Sequence, residues 1–186
     1  MQNNFTIDQV REFWDNAADV YDEINKNIGP AHYQRFTESI RYLNLKQGDK
    51  ILNIWSRTGN SLAYLRKIKN LEIHNLEVAP KMLAKAKEKF PEENFELTDL
   101  ENLNFNNNFF DKILSLETLE HTPDPKELLK EFYRVLKPDG LLVMSLPPNI
   151  AEIPLKIYEM FFNNHGEGRI KFLSSRHVKK MLKENG

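Results

Sequence analysis

Cysteine is absent from the 186 residues of this chain, which excludes disulfides, thiolate metal sites and a cysteine nucleophile together. Net charge is nearly absent too. The 26 basic and 27 acidic residues leave −1 at pH 7, so no general field favours nucleic acid or an anionic membrane. No apolar run approaches the ~18 residues of a membrane span, and Met1–Gln2–Asn3–Asn4 lacks a signal-peptide pattern. His32, His74 and His177 show no partner spacing for a metal, so none is expected. These absences set the expectation of a cytoplasmic protein whose partners include neither nucleic acid nor membrane. Glycine is the most informative scarcity: there are seven, and only Gly59 falls where the chain needs several.

That place is Ile51–Leu52–Asn53–Ile54–Trp55–Ser56–Arg57–Thr58–Gly59–Asn60. A short apolar run turns polar and leads into a helical Ser61–Leu62–Ala63–Tyr64–Leu65. A strand, tight turn and helix in this order offer backbone N–H groups to a nucleotide-like ligand. Such turns use glycines for positive φ and for close approach of ligand to bare backbone. Trp55 and Arg57 put large side chains there instead.

The length suits one domain with a substantial core. From residue 50 onward strand-like and helix-like periodicities alternate. Strands are predicted at 51–54, 71–76, 95–97, 110–116 and 141–146, and helices at 60–69, 80–90 and 125–136. Pro80 suits a first helical turn, and Lys137–Pro138–Asp139–Gly140 reads as a turn that ends the third helix. The alternation implies an α/β fold, a doubly wound and mostly parallel sheet with helices on both faces. Its ligands belong outside the carboxyl ends of the strands. Residues 1–49 read as a helical lid, with Phe13, Trp14, Tyr21, Tyr33 and Phe36 as anchors. Residues 50–147 form the core, and 148–186 a helical segment on the substrate side, with helices at 153–162 and 174–184.

Five segments in register resemble the class I S-adenosylmethionine-dependent methyltransferases, in particular the small-molecule group that includes quinone-biosynthesis enzymes. Phe13–Trp14–Asp15–Asn16–Ala17–Ala18–Asp19–Val20–Tyr21–Asp22 is similar to the group's aromatic lead-in, and residues 51–59 align with its glycine-rich first motif. Leu76–Glu77–Val78–Ala79–Pro80–Lys81–Met82–Leu83 resembles the second motif, and Thr98–Asp99–Leu100–Glu101 the third. Residues 116–125, followed by Leu129–Lys130–Glu131–Phe132–Tyr133–Arg134–Val135–Leu136–Lys137–Pro138–Asp139–Gly140, make the most specific match.

The resemblance implies a Rossmann-like fold, S-adenosylmethionine as cofactor, and a cofactor site of Asn53, Trp55, Thr58, Gly59, Glu77, Val78, Met82, Asp99, Leu100 and Leu116, with Tyr21 closing over it. Glu77, ending its strand at the sheet edge, is placed to accept hydrogen bonds from both ribose hydroxyls; the alternative is a solvated loop acid. Asp99 would meet the adenine amino group, with Leu100 in apolar contact, or else simply initiate a turn. His121 is the candidate catalytic residue, orienting or deprotonating the acceptor near neutral pH; a structural histidine bonded to the turn at Pro123 is its rival. Methyl transfer to a nucleophilic acceptor needs mainly positioning and exclusion of water, so a catalytic base is not required.

Two departures stand out. Asn53 replaces the acid that ends the family's first strand, and Trp55 and Arg57 replace glycines. The family also continues past Lys179–Lys180–Met181–Leu182–Lys183–Glu184–Asn185–Gly186 into two further strands. Without them the last strand has an open edge, so self-association is expected. The leading reading is methyl transfer to an O, N or C atom of a small molecule. The alternative, motivated by Trp55, Arg57 and the missing strands, is a non-catalytic pseudo-methyltransferase that binds or scaffolds. Nucleic-acid modification is disfavoured by the balanced charge. Leu155, Ile157, Phe161 and Phe162 suggest an apolar pocket wall or equally core.

Overall fold

The computed structural model of the chain describes residues 5–27, 29–100, 102–147, 171 and 173–185. Its helices are α1 (Ile7–Ala17), α2 (Tyr21–Asn27), α3 (Gly29–Leu43), α4 (Leu62–Leu65), α5 (Pro80–Lys89), α6 (Pro125–Val135) and α7 (Ser175–Asn185). Its strands are β1 (Lys50–Ile54), β2 (Glu72–Glu77), β3 (Asn94–Leu97), β4 (Phe110–Leu116) and β5 (Leu136–Ser145).

Local chemistry explains where the helices begin. Thr6 and Gln9 form a reciprocal capping box ahead of α1, with the Gln9 N–H donating to Thr6 Oγ1 at 3.3 Å and the Thr6 N–H to Gln9 Oε1 at 3.1 Å. Asp124 accepts from the N–H groups of Lys126 and Glu127 at 3.1 and 3.3 Å, and Pro125 opens α6 with a preset φ. The apolar stripe of α6, Leu128, Leu129, Phe132 and Val135, is buried throughout.

All five strands are parallel, in the order β3-β2-β1-β4-β5. The order reverses between β1 and β4, so the crevice at their carboxyl ends is where this architecture places ligands. Side chains alternate across the sheet. Leu52, Ile54, Leu76 and Ile113 pack with α1, α5, α6 and α7 on one face. Ile51, Ile73 and Leu114 pack with Leu43 of α3 and Leu62 and Leu65 of α4 on the other. The parallel sheet with helices on both faces is the fold read from the sequence.

Two local expectations are corrected. The helix predicted over 60–69 is only Leu62–Leu65: the Ser61 hydroxyl bonds Asn53 Oδ1 at 3.1 Å and leaves the first turn uncapped, and after Leu65 the Lys67 and Ile68 N–H groups close tighter turns on the Tyr64 and Leu65 carbonyls. The strand predicted at 141–146 begins at Leu136, directly after α6, and no turn separates the two. Phe110 pairs with Leu136 whereas Lys112 pairs with Leu141. Residues 137–140 are therefore an irregularity within the ladder, pinned by Lys137 Nζ on Asp111 Oδ1 at 2.7 Å. The helix predicted at 153–162 and the apolar wall of Leu155, Ile157, Phe161 and Phe162 lie outside the described residues.

Candidate cofactor and active site

Left-handed backbone is concentrated at one edge of the sheet. Among the described residues, Asn44, Asn70 and Asn108 adopt positive φ in turns, a conformation asparagine tolerates. The other non-glycine cases are Trp55 (56°), Arg57 (54°), Leu100 (68°) and Glu117 (50°), with Gly59 at 83°. All of these follow the carboxyl ends of β1, β3 or β4. Each side chain held this way costs on the order of 1–2 kcal/mol, and such strain collects at functional sites. Residues 55–59 thus take up left-handed backbone suited to glycine, with Trp55 and Arg57 at two of its three positive-φ positions.

Glu77 fastens that loop. Its carboxylate is fully buried. Oε2 accepts from the Arg57 N–H at 2.6 Å, and Oε1 from the N–H groups of Val78 and Ala79 at 3.0 and 3.1 Å. Burial pushes this carboxyl up from its ordinary range; the Arg57 cation and the three N–H donors oppose that. Arg57 is the mirror case. Burial draws its guanidinium down, against Tyr21, Glu77, Glu117 and Glu120.

The guanidinium lies 3.5 Å from the Trp14 ring centroid and 4.0 Å from that of Trp55, a double cation–π contact with two indoles set at 75° to each other. His121, on the single 3-10 turn Leu119–His121, meets both indoles edge-on at 5.6 Å. Around these rings is a cavity of about 320 Å³, at the small end of the range for ligand pockets. Asn53, Trp55, Ser56, Leu116, Glu117 and His121 line its floor from the ends of β1 and β4, and α1 to α3 supply Trp14, Tyr21 and Arg35.

Polar contacts hold α1 and α2 across the β2–α5 region. Arg11 Nε donates to the Val78 carbonyl at 3.0 Å, and the Lys81 N–H to Asp15 Oδ1 at 2.7 Å. Thr58 Oγ1 donates to Asp22 Oδ1 at 2.6 Å, and Lys89 pairs with Asp22.

Residues 52–144 match the model of a family described as a methyltransferase domain. The chain is 31% identical over 160 residues to the demethylmenaquinone methyltransferase of Thermotoga maritima, covering 84% of this chain and 70% of that protein. It is 28% identical over 162 residues to the demethylmenaquinone methyltransferase of Chlorobaculum parvum, covering 83% and 67%. The chain belongs to the class I S-adenosylmethionine-dependent methyltransferases. The fold agrees. A chain from the complex of the Haloferax volcanii Trm112 methyltransferase activator with a methyltransferase superposes with a TM-score of 0.77 at 19% identity, over 93% of this chain and 75% of that one. Among the described residues of this methyltransferase, no helix is long and apolar enough to cross a membrane, and no group of His, Asp or Glu is arranged to hold a metal.

The residues expected at the cofactor fall into three sets. Asn53, Trp55, Leu116 and Tyr21 line the cavity, together with His121. Thr58, Gly59, Glu77, Val78, Met82 and Leu100 are buried beside it but do not line it. Asp99 is exposed on the loop after β3. Asn53 is fully engaged: its Nδ2 donates to Ser61 Oγ and to Asn75 Oδ1, each at 2.8 Å. Trp14, Arg35 and Ser56 also line the cavity, and sequence reading gave them no role there; Glu120 lines it too, in the segment 116–121 read as lining the path from cofactor to acceptor. Trp14 was marked only as an anchor, and Arg35 is one of several charges in an amphipathic helix. Only the lead-in motif pointed toward Trp14.

Proposed function

We propose that the chain binds S-adenosylmethionine at the carboxyl edge of its sheet and methylates a small apolar acceptor of the quinol class. The observation that carries this reading is the strain map: left-handed, non-asparagine residues gather on the loops after β1, β3 and β4. Strained backbone of this kind collects at ligand-binding edges. The acceptor class is taken from the names of the relatives and supported by the Trp14, Trp55 and Tyr21 walls of the cavity.

The residues present fit the cofactor. Ser56, Trp55 and Arg57 offer polar groups for its amino-acid end, while Asn53 is engaged with Ser61 and Asn75. Glu77 with the apolar Val78, Met82 and Leu100 would hold the ribose and adenine, and Asp99 would meet the adenine amino group. In the observed conformation Glu77 is spent on three N–H groups, so binding requires the Arg57 backbone to shift and release it. When bound, the cofactor supplies an electrophilic methyl group. The chain's own part is to exclude water with α1 and α2, to stack a planar acceptor on the indoles, and to hold or accept its hydroxyl proton at His121. The test is incubation with isotope-labelled cofactor and a panel of benzoquinols and naphthoquinols, followed by mass spectrometry. Labelled, methylated quinol is the expected product. A chain that binds the cofactor yet methylates no member of the panel refutes the acceptor class.

A further inference from the structure

The inward row of α3 changes character along its length. Leu43 and Ile40 pack against the sheet. On the turns before them the same face carries Phe36, Arg35 and His32, which line the cavity; a spacing of three and four residues keeps them in one row. Polar and charged groups at positions that otherwise face a core are a mark of function. Asn25 of α2 joins them on this helical wall.

Buried polar atoms without a hydrogen-bond partner border the cavity on two sides. Trp55 Nε1, Ser56 Oγ and Arg57 Nη1 belong to the β1 side, which the cofactor reading uses. Asn25 Nδ2 and Arg35 Nε belong to the helical side, and the cofactor reading gives them nothing to do. Glu120 is buried at the end of β4 and offers acceptors, and its charge bears on the Arg57 guanidinium. Glu117 pairs with another nitrogen of Arg35 and leaves Nε over. Burial pushes the Tyr21 hydroxyl up, with Arg57 and Asn25 opposing it, yet Asn25 Nδ2 closes no hydrogen bond. Buried donors in folded proteins are nearly always satisfied, so these two ask for an acceptor in the cavity.

His32 supplies the complement. Its ring meets Phe36 edge-on at 5.9 Å. Burial and then the Arg35 charge hold it below its ordinary range, against Glu117. The ring is therefore neutral at pH 7 and keeps one acceptor nitrogen. Two donors and one acceptor match a hydroxyl, which accepts two hydrogen bonds and donates one.

We propose that Asn25, His32 and Arg35 form a second hydroxyl site on the helical wall, holding one hydroxyl of an aromatic 1,4-diol while His121 attends the other from the sheet side. Asn25 and Arg35 donate to the oxygen, and His32 accepts from its O–H. The proposal rests on the quinol reading and makes the site selective for diols over phenols with a single hydroxyl.

Calorimetric titration of the whole chain under ascorbate compares 1,4-dihydroxynaphthalene with 1-naphthol, which has the same rings and lacks the second hydroxyl. The wild type is expected to prefer the diol about tenfold or more. Asn25→Leu and His32→Phe, each close in volume to the original and checked for folding by melting curves, should lose roughly fivefold or more of that preference. Their affinity for 1-naphthol should stay unchanged, whereas a merely structural role would weaken both ligands together. Equal wild-type affinity for the two compounds, or a preference intact in both variants, overturns the helical-wall site and leaves the quinol reading to its labelled-product test. A chain that binds neither compound overturns the site and the acceptor class with it.

Discussion

Replacing Glu77 by glutamine isolates what its carboxylate does for the fold. The substitution keeps volume and keeps one oxygen for the Val78 and Ala79 N–H groups, at 3.0 and 3.1 Å in the wild type. It presents an amide NH₂ to the Arg57 N–H, which now donates to Oε2 at 2.6 Å. One charge-assisted hydrogen bond is lost, and a buried N–H is left without an acceptor; either estimate gives about 2–3 kcal/mol. The carboxylate opposite the buried Arg57 cation also disappears. For a chain of this size each kcal/mol moves Tm by about 2–4 °C, so Glu77→Gln is expected to melt roughly 4–12 °C below wild type. Circular dichroism melts with urea titrations at 25 °C measure both quantities. A variant that melts within a degree of wild type refutes the argument that Glu77 fastens the β1–α4 loop.

Three further outcomes are expected. Gly59 has φ of 83°, and a Cβ there meets two Phe90 ring atoms at 2.8 Å, so Gly59→Ala should cost about 1–3 kcal/mol from backbone strain and crowding; if the same change costs as much beside Phe90→Leu, the crowding is not real. Phe132 is buried at the centre of the α6 stripe, and Phe132→Ala should destabilise by about 3–5 kcal/mol in urea titration; a cost under 1 kcal/mol would mean α6 does not anchor the core. The third is a pH effect. The Arg134 hydrogen bond holds the Glu131 carboxyl below its ordinary range, opposed by partial burial and helped by the Leu103 N–H. A depressed carboxyl pKa contributes stability above the unfolded value, about 4.3, that is lost as pH falls through the folded value. The Tm gap between wild type and Glu131→Gln should be full above the unfolded value, about 4.3, and shrink as pH falls from there through the lower folded value; a gap independent of pH contradicts the assignment.

The sheet was legible because its strands are apolar runs and its helices carry one-sided stripes, as in Phe110–Leu116 and Pro125–Val135. The start of β5 was not. Lys137–Pro138–Asp139–Gly140 has turn chemistry, yet ladder pairing resumes on both sides of it because Asp111 holds Lys137. The short α4 was also hidden, since which group Ser61 bonds depends on Asn53 eight residues earlier. At the site, the order of segments pointed to residues 51–60, the end of β1 and the turn after it, where the left-handed Trp55, Arg57 and Gly59 are found. The contents of that loop did not follow from it. The sequence marked Trp55 and Arg57 as bulk in a ligand's place, and in the fold they take up glycine-like backbone and line a cavity. Trp14 and Arg35 reach that cavity from helices distant in sequence, and no local pattern encodes such a meeting.

The central claim is that this methyltransferase domain holds its cofactor despite the rebuilt loop. Titration of S-adenosylhomocysteine into the folded chain, followed by heat and by tryptophan fluorescence, tests it most directly. Saturable binding with a change in the emission of Trp14 and Trp55 is the expected result. A cooperatively folded chain that gives neither heat nor an emission change contradicts the account and points to a domain that has kept the fold without the cofactor.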